Sequence, residues 1–184
     1  GKYPEKVYGY LTLNPNNPEE IDDQFEKYYK IKNFVGVKLH PGLHNYPITG
    51  ENYIAVFDKL KELGGFVLTH SWDDDRNCSI DMCEQIVKAY PEVALILGHA
   101  GGVGSGVKKS IKLVNTYENV YMDTSGFEYS NIWIEDIVKN TNHEKIVYGS
   151  DFPFHDMRGG LSRILFADID DKVKVDILGK NFKV

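Results

Sequence analysis

A chain of 184 residues is long enough for one domain with a substantial hydrophobic core. Hydrophobic residues make up 42% of it and charged residues 26%, which is typical of a soluble globular protein. The net charge of −6 argues against nucleic acid or an anionic membrane surface as the main partner, and it leaves a small-molecule substrate.

The cysteine content and the lack of long apolar runs predict in which cellular compartment the protein works. The two cysteines, Cys78 and Cys83, are too few for a disulfide scaffold and fit a reducing environment. They lie five residues apart on a predicted helix, which favours buried filler over a redox or metal pair. No apolar run approaches the ~20 residues of a membrane span, and no signal peptide is recognisable. We therefore expect a cytoplasmic protein.

Short apolar runs alternate with helical patterns along the chain. The runs mostly lack a two-residue alternation, which is typical of strands covered on both faces. The helical stretches carry apolar residues three and four apart, and they begin at capping positions such as Asn17-Pro18 and Ser79. The predicted strands span residues 7–13, 34–39, 65–69, 93–97, 120–122 and 146–148.

The strand–helix unit recurs six times, which predicts an α/β fold with a parallel sheet in a single domain over residues 1–184. Polar residues follow the strands at intervals of about 28 residues, close to the length of one βα unit. In a closed β/α barrel these strand ends form one ring, and in an open doubly wound sheet they line one edge. The strand-end residues are Asn14, His40, His70, His99, Asp123 with Ser125, and Asp151.

Histidines at the same position of the repeat, with Asp151 in register, indicate a functional site. Neutral imidazoles with a carboxylate are a common catalytic zinc or manganese set, and they also suit acid–base catalysis near neutral pH. A hydrogen-bonded polar ring that closes the barrel top is the alternative. His155 lies in a loop just past a strand end, within reach of a substrate. The acidic loop SWDDDRN after His70 is interpreted as solvated.

Stretches in order along the chain resemble the amidohydrolase superfamily, in its amidohydrolase-2 branch of metal-dependent TIM-barrel hydrolases and decarboxylases. The resemblance covers nearly the whole chain and implies an incomplete TIM (β/α)8 barrel, in which the predicted strands are barrel strands three to eight. The matching stretches are GVKLHP (36–41), VLTHSW (67–72), LILGHAGG (95–102), VYMDTSG (120–126) and YGSDFPF (148–154).

The same resemblance implies roles for individual residues. His70 matches the metal-binding histidine, and His99 matches a histidine that binds a second metal or polarises the substrate. Asp151 matches the aspartate that binds metal and takes the proton from the attacking water. The cofactor would be a divalent metal, zinc with manganese as the alternative, which lowers the pKa of bound water from 15.7 towards ~7. The substrate-binding candidates are Lys38, His40, Ser125 and His155.

The sequence departs from the family pattern at its beginning. The family's first strand ends in His-x-His, but no two of the six histidines here are separated by one residue. Residues 3–7, YPEKV, look like the approach to strand three, so strands one and two are absent from this sequence. Two further βα units, about 56 residues, would give about 240, close to the ~250 of a whole barrel. Without those ligands we predict weak or absent metal binding and little or no turnover by this chain.

Three functions remain open at this point. The first is metal-dependent hydrolysis of an amide, ester or lactone bond of a small molecule. The second is non-oxidative decarboxylation, because the same metal and histidine stabilise the charge that develops in either reaction. The third is a non-catalytic truncated barrel that binds a ligand or associates through its open edge. Free edges on the first and last strands are templates for pairing, so we expect a second copy of the chain or rearranged segments to cover them.

Overall fold

The structure is a computed structural model that describes residues 3, 6–102, 104–126 and 130–183. Its six strands form one sheet in chain order, and each neighbouring pair is parallel. This confirms the predicted α/β class; within the predicted approach to the first strand, Pro4 and Glu5 lie outside the described residues. The strands are β1 (Gly9–Thr12), β2 (Phe34–Leu39), β3 (Phe66–His70), β4 (Ala94–Gly98), β5 (Val120–Asp123) and β6 (Ile146–Val147).

Helices connect the strands, as the apolar spacing predicts. Ser79 caps α4, because its hydroxyl accepts a hydrogen bond from the backbone N–H of Met82 at 3.4 Å. No helix in the described part of the chain is long and apolar enough to cross a membrane. The helices are α1 (Ile21–Gln24), α2 (Pro41–His44), α3 (Glu51–Leu63), α4 (Ile80–Ala89), α5 (Ser105–Thr116), α6 (Asn131–Asn140), α7 (Met157–Leu165) and α8 (Asp171–Val175), with 3-10 turns at Pro18–Glu20, His99–Gly101 and His143–Lys145 and π-helical turns at Phe25–Tyr29 and Asp176–Lys180.

The two faces of the sheet are covered differently. Along β3, Val67 is fully buried, whereas Phe66 and Leu68 on the opposite face are half-buried. The fully buried face, here called the outer face, packs in one cluster with the apolar stripes of α3 and α4. The opposite face, the inner face, carries the half-buried side chains Tyr10, Lys38, Phe66, Leu68 and Tyr121.

A segment near the end of the chain covers the outer edge of β6 and part of the inner face. The backbone N–H of Tyr148 donates to the Ile177 carbonyl at 3.0 Å, and Asn181 Nδ2 donates to the Ile146 carbonyl at 2.8 Å. The Phe182 ring meets the Phe66 ring edge to face at a centroid distance of 5.6 Å. At β6, therefore, a segment of the same chain covers the edge.

Candidate functional site

A cavity of about 540 Å³ opens on the inner face where the strands end. Parallel strands present their carboxyl ends at one edge of the sheet, so residues that are far apart in sequence meet there. Half-buried and buried apolar side chains, including Leu68 and Ile96, form the deeper wall. Four of the predicted site residues line this cavity: Lys38, His99, Ser125 and Asp151.

The three strand-end histidines form one cluster beside the cavity. The His40 and His70 rings stack at a centroid distance of 4.1 Å and an interplanar angle of 12°. The His99 ring meets His70 edge to face at 4.8 Å, and the Trp72 ring lies parallel to His70 at 6.2 Å. The common phase of these histidines in the sequence therefore predicted their proximity correctly.

Both stacked histidines are held in the neutral form. Burial, and then the neighbouring Lys38 and His99, lowers the pKa of His40 to about 4. Burial, and then the neighbouring His40 and His99, lowers the pKa of His70 to about 3. Neutral imidazole is the form that binds a metal or accepts a proton. His40 Nδ1 also accepts a hydrogen bond from the backbone N–H of Leu43 at 3.2 Å and so caps α2.

Asp123 and Ser125 orient His99. Asp123 Oδ1 accepts hydrogen bonds from the His99 backbone N–H at 2.8 Å and from the Ser125 hydroxyl at 2.7 Å. Ser125 Oγ lies 3.0 Å from His99 Nδ1. Because the only hydroxyl proton of Ser125 points to Asp123, Ser125 accepts from the Nδ1–H of His99. In the neutral ring, Nε2 is then the nitrogen that carries the lone pair.

Gly149 makes room for the Asp123 carboxylate. A Cβ atom added at Gly149 would lie 2.6 Å from Asp123 Oδ2 and 2.9 Å from Ser125 Cβ. No other residue type would therefore fit against this carboxylate without moving it. Gly149 lies immediately before the Ser150–Asp151 pair, so the loop after β6 helps to position the residues at the end of β5.

Asp151 is paired with His155 in this structure. The Asp151 carboxylate oxygen Oδ2 lies 3.5 Å from His155 Nε2. The backbone of Asp151 is left-handed, with a φ of 56°, and His99 and Ala100 also have positive φ, at 62° and 45°. Such conformations cost on the order of 1–3 kcal/mol each and cluster at active sites. Positive φ at non-glycine residues therefore occurs in both the loop after β4 and the loop after β6.

Lys38 places a cation next to the acidic groups of the cavity. Its pKa is lowered by burial, and the carboxylates of Asp123 and Asp151 oppose this shift. The ammonium group therefore lies within electrostatic reach of both carboxylates while lining the cavity. This position suits a group that binds a carbonyl or carboxylate oxygen of a ligand.

The predicted metal-binding set is not gathered into one close group. Among the described residues, the one group of donor atoms that all lie within 4.8 Å of one another comprises His70, Asp75 and Cys78. His99 and Asp151 are outside this group. As they stand, the three predicted donors His70, His99 and Asp151 do not fit a cation by themselves.

Three residues near the strand ends are not identified as candidate site residues by the sequence patterns. Asp123 was recognised as a strand-end residue, and its spacing of two from Ser125 is the signal that could have assigned it to the network around His99. The sequence predicts a solvated loop around Asp75 and buried filler at Cys78. Their proximity to His70 depends on the fold of the loop and has no short-range sequence signal.

Solved structures of TIM-barrel proteins share this fold. An uncharacterized TIM-barrel protein from Bordetella bronchiseptica has a TM-score of 0.82 and 14% identity over 98% of this chain and 66% of its own. The 5-carboxyvanillate decarboxylase from Novosphingobium aromaticivorans, complexed with manganese and 4-hydroxy-3-methoxy-5-nitrobenzoic acid, has a TM-score of 0.73 and 16% identity, over 98% and 64%. A probable 2-pyrone-4,6-dicarboxylic acid hydrolase from Acinetobacter baumannii with citric acid bound has a TM-score of 0.74 and 16% identity, over 98% and 73%.

These similarities show that the chain has the fold of part of a TIM barrel, and it spans about two thirds of the length of the structures it matches. No curated protein matches the sequence. The sequence profile of the family described as amidohydrolase matches residues 1–181. Together with the parallel sheet and the ring of histidines at its carboxyl edge, this match shows that the chain belongs to the amidohydrolase family.

Proposed function

We propose that this chain supplies the acid–base residues of a hydrolase that acts on an amide, ester or lactone bond of a small molecule. The observation that carries the proposal is the convergence of Lys38, His99 and Asp151 on one cavity, with His99 oriented by Ser125 and Asp123. Hydrolysis needs a base for the attacking water and a donor for the oxygen that becomes negative. The cavity offers both.

In this proposal Asp151 accepts the proton of the attacking water. His99, when protonated, donates from Nε2 to the substrate carbonyl oxygen, and the chain Ser125–Asp123 stabilises this imidazolium before it gives up its proton. Lys38 binds an oxygen of the substrate from the same cavity. A low-dielectric wall strengthens each of these interactions relative to water.

The proposal includes a divalent metal cofactor. Manganese is bound in the structure of the similar Novosphingobium decarboxylase, which supports this part of the proposal. The sequence predicts His70, His99 and Asp151 as its donors, with zinc as the first choice. Because these donors are not gathered in one close group, we assign no step to the metal.

Decarboxylation is the second candidate, and the cavity wall favours it specifically. Tyr10, Leu68 and Phe152 line the cavity and suit a flat ring, while Lys38 provides a cation for a carboxylate. The reaction would transfer one proton to the ring carbon as the carboxylate leaves as carbon dioxide. The protonated His99 is the donor in this alternative.

The test is a turnover assay on the longest polypeptide that contains this chain, with added zinc or manganese. Aryl esters, amides and lactones report hydrolysis, and release of carbon dioxide from hydroxybenzoates reports decarboxylation. We expect Asp151→Asn to lower kcat by roughly 10²–10⁴-fold, the usual contribution of a general base. Asp22→Asn is the matched control, since Asp22 is exposed on α1 and pairs with Lys59.

Two results would contradict the proposal. Equal turnover in the Asp151→Asn and Asp22→Asn proteins would remove Asp151 from the mechanism. No turnover of either substrate class, with metal supplied, would favour the non-catalytic alternative.

A further inference from the structure

The loop between β3 and α4 folds so that two of its side chains approach the strand-end histidine that precedes it. His70, Asp75 and Cys78 each offer one donor atom, and these atoms lie within 4.8 Å of one another. Nitrogen, carboxylate oxygen and thiolate sulfur are the three types of ligand that zinc accepts in proteins. The group is separate from Asp151, which pairs with His155.

Backbone hydrogen bonds hold this loop in place without a ligand. The Asp75 N–H donates to the Trp72 carbonyl at 2.9 Å, and the Trp72 N–H donates to the Cys78 carbonyl at 3.2 Å. Asp75 Oδ1 accepts from the Asn77 N–H at 2.7 Å. Gly42 leaves space for the same carboxylate, because a Cβ there would lie 2.5 Å from Asp75 Oδ2. The donors are therefore preorganised rather than collected by a flexible segment.

Cys78 brings a sulfur atom to this group. Cys78 is fully buried, and its backbone N–H donates to the Asp75 carbonyl at 3.3 Å. Burial, and then the nearby Asp75, raises the pKa of the Cys78 thiol, so a cation that binds this sulfur must displace its proton.

His70 supplies an independent sign of a missing partner. Its Nδ1 atom is buried and has no hydrogen-bond partner in the described part of the structure. A buried ring nitrogen without a partner costs on the order of 1–3 kcal/mol. Buried polar groups of this kind occur where a ligand or ion completes the site.

We propose that His70, Asp75 and Cys78 bind a thiophilic divalent cation of the Zn²⁺ class at a site distinct from the predicted set of His70, His99 and Asp151. Binding forms a metal–sulfur bond at Cys78 and releases the thiol proton to solvent, with no change of oxidation state. His70 and Asp75 contribute nitrogen and oxygen, and a water molecule takes the fourth position. The thiolate makes this site selective for Zn²⁺ over Mn²⁺.

Cobalt is the probe for this site, because a thiolate ligand gives Co²⁺ a charge-transfer absorption that nitrogen and oxygen ligands do not give. We expect Co²⁺ to produce this band with the whole chain at one equivalent, and Zn²⁺ to abolish it. Cys83→Ser should keep the band, because Cys83 is buried on α4 outside the group. That result assigns the sulfur ligand to Cys78 even if a Cys78 variant fails to fold.

The remaining variants separate this site from the proposed active site, on which the inference does not depend. Cys78→Ser should lose the band. Asp75→Asn should weaken Co²⁺ affinity at least about tenfold, because loss of a residue that merely supports a ligand already lowers metal affinity by about this factor. Asp151→Asn should leave the band unchanged. Absence of the band from the unmodified chain, or its loss in Cys83→Ser or Asp151→Asn, would overturn the proposal.

Discussion

The outer and inner faces of one sheet have different degrees of burial and different tasks. Leu97 on the outer face is completely buried, whereas Leu68 on the inner face of the neighbouring strand is half-buried. The outer face meets several helices, and the inner face meets mainly the segment that carries Phe182. We infer from this difference that packing on the outer face supplies most of the free energy of unfolding. The inner face is therefore free to form a polar cavity.

The largest expected effect tests this division directly. Leu97→Ala should lower the free energy of unfolding by about 2–5 kcal/mol, because a closely packed site leaves a cavity when side-chain atoms are removed. Leu68→Ala, the matched change on the inner face, should cost less than about 2 kcal/mol. Urea denaturation of the two variants measures both values. Equal losses would show that the inner face is packed as tightly as the outer face.

The next effect concerns the place where the inner face meets the site. Gly149→Ala should destabilise the protein by about 1–3 kcal/mol. The new Cβ would lie only 2.6 Å from Asp123 Oδ2, so the carboxylate would have to move. Gly159→Ala is the control on α7, where an added Cβ meets nothing within 4 Å. That change should stabilise the protein by about 0.5–1 kcal/mol. Thermal unfolding distinguishes the opposite signs, and a stabilising Gly149→Ala would contradict the crowding around Asp123.

A smaller effect is expected from the cover of the inner face. Phe182→Ala removes the edge-to-face pair with Phe66 and should cost about 0.5–1.5 kcal/mol. It should also increase binding of a hydrophobic dye, because Phe66 loses its neighbour. Phe166, which is 80% exposed, gives the control Phe166→Ala with little change in either measurement. Unchanged dye binding in Phe182→Ala would mean that this ring does not cover the inner face.

The last effect is the pH dependence that comes from the stacked histidines. The pKa of His40 is about 4 in the folded protein and 6.5 in the unfolded chain. Between pH 4 and pH 6.5 the unfolded chain therefore binds more protons than the folded protein. Stability should therefore fall as the pH drops from about 6.5 to about 4, in metal-free buffer. His40→Gln should make this slope shallower, and both His70 and His44, whose pKa values burial also lowers, contribute to the remaining slope. NMR titration of the His40 ring checks the value, and an ordinary pKa would refute the burial argument.

The sequence predicted the frame of the site because that frame follows from local patterns. Apolar runs of strand length, helical spacing and the Ser79 cap depend on near neighbours, and the structure has the corresponding elements. Histidines at one phase of the repeat had to meet once the strands were parallel and in order. The five stretches that resemble the amidohydrolase superfamily predicted the family of the chain, and the match over residues 1–181 confirms it.

The tertiary structure alone decided which side chains are partners within that frame. Loop conformations set these pairings: the left-handed backbone at Asp151 brings its carboxylate to His155, and the turn after β3 brings Cys78 towards His70. Such conformations depend on contacts between distant elements, and one residue's change of φ redirects a side chain by several ångströms. By itself, the sequence therefore determined the order of the strands and the residues at their ends, whereas the loops determined the chemistry that those residues share.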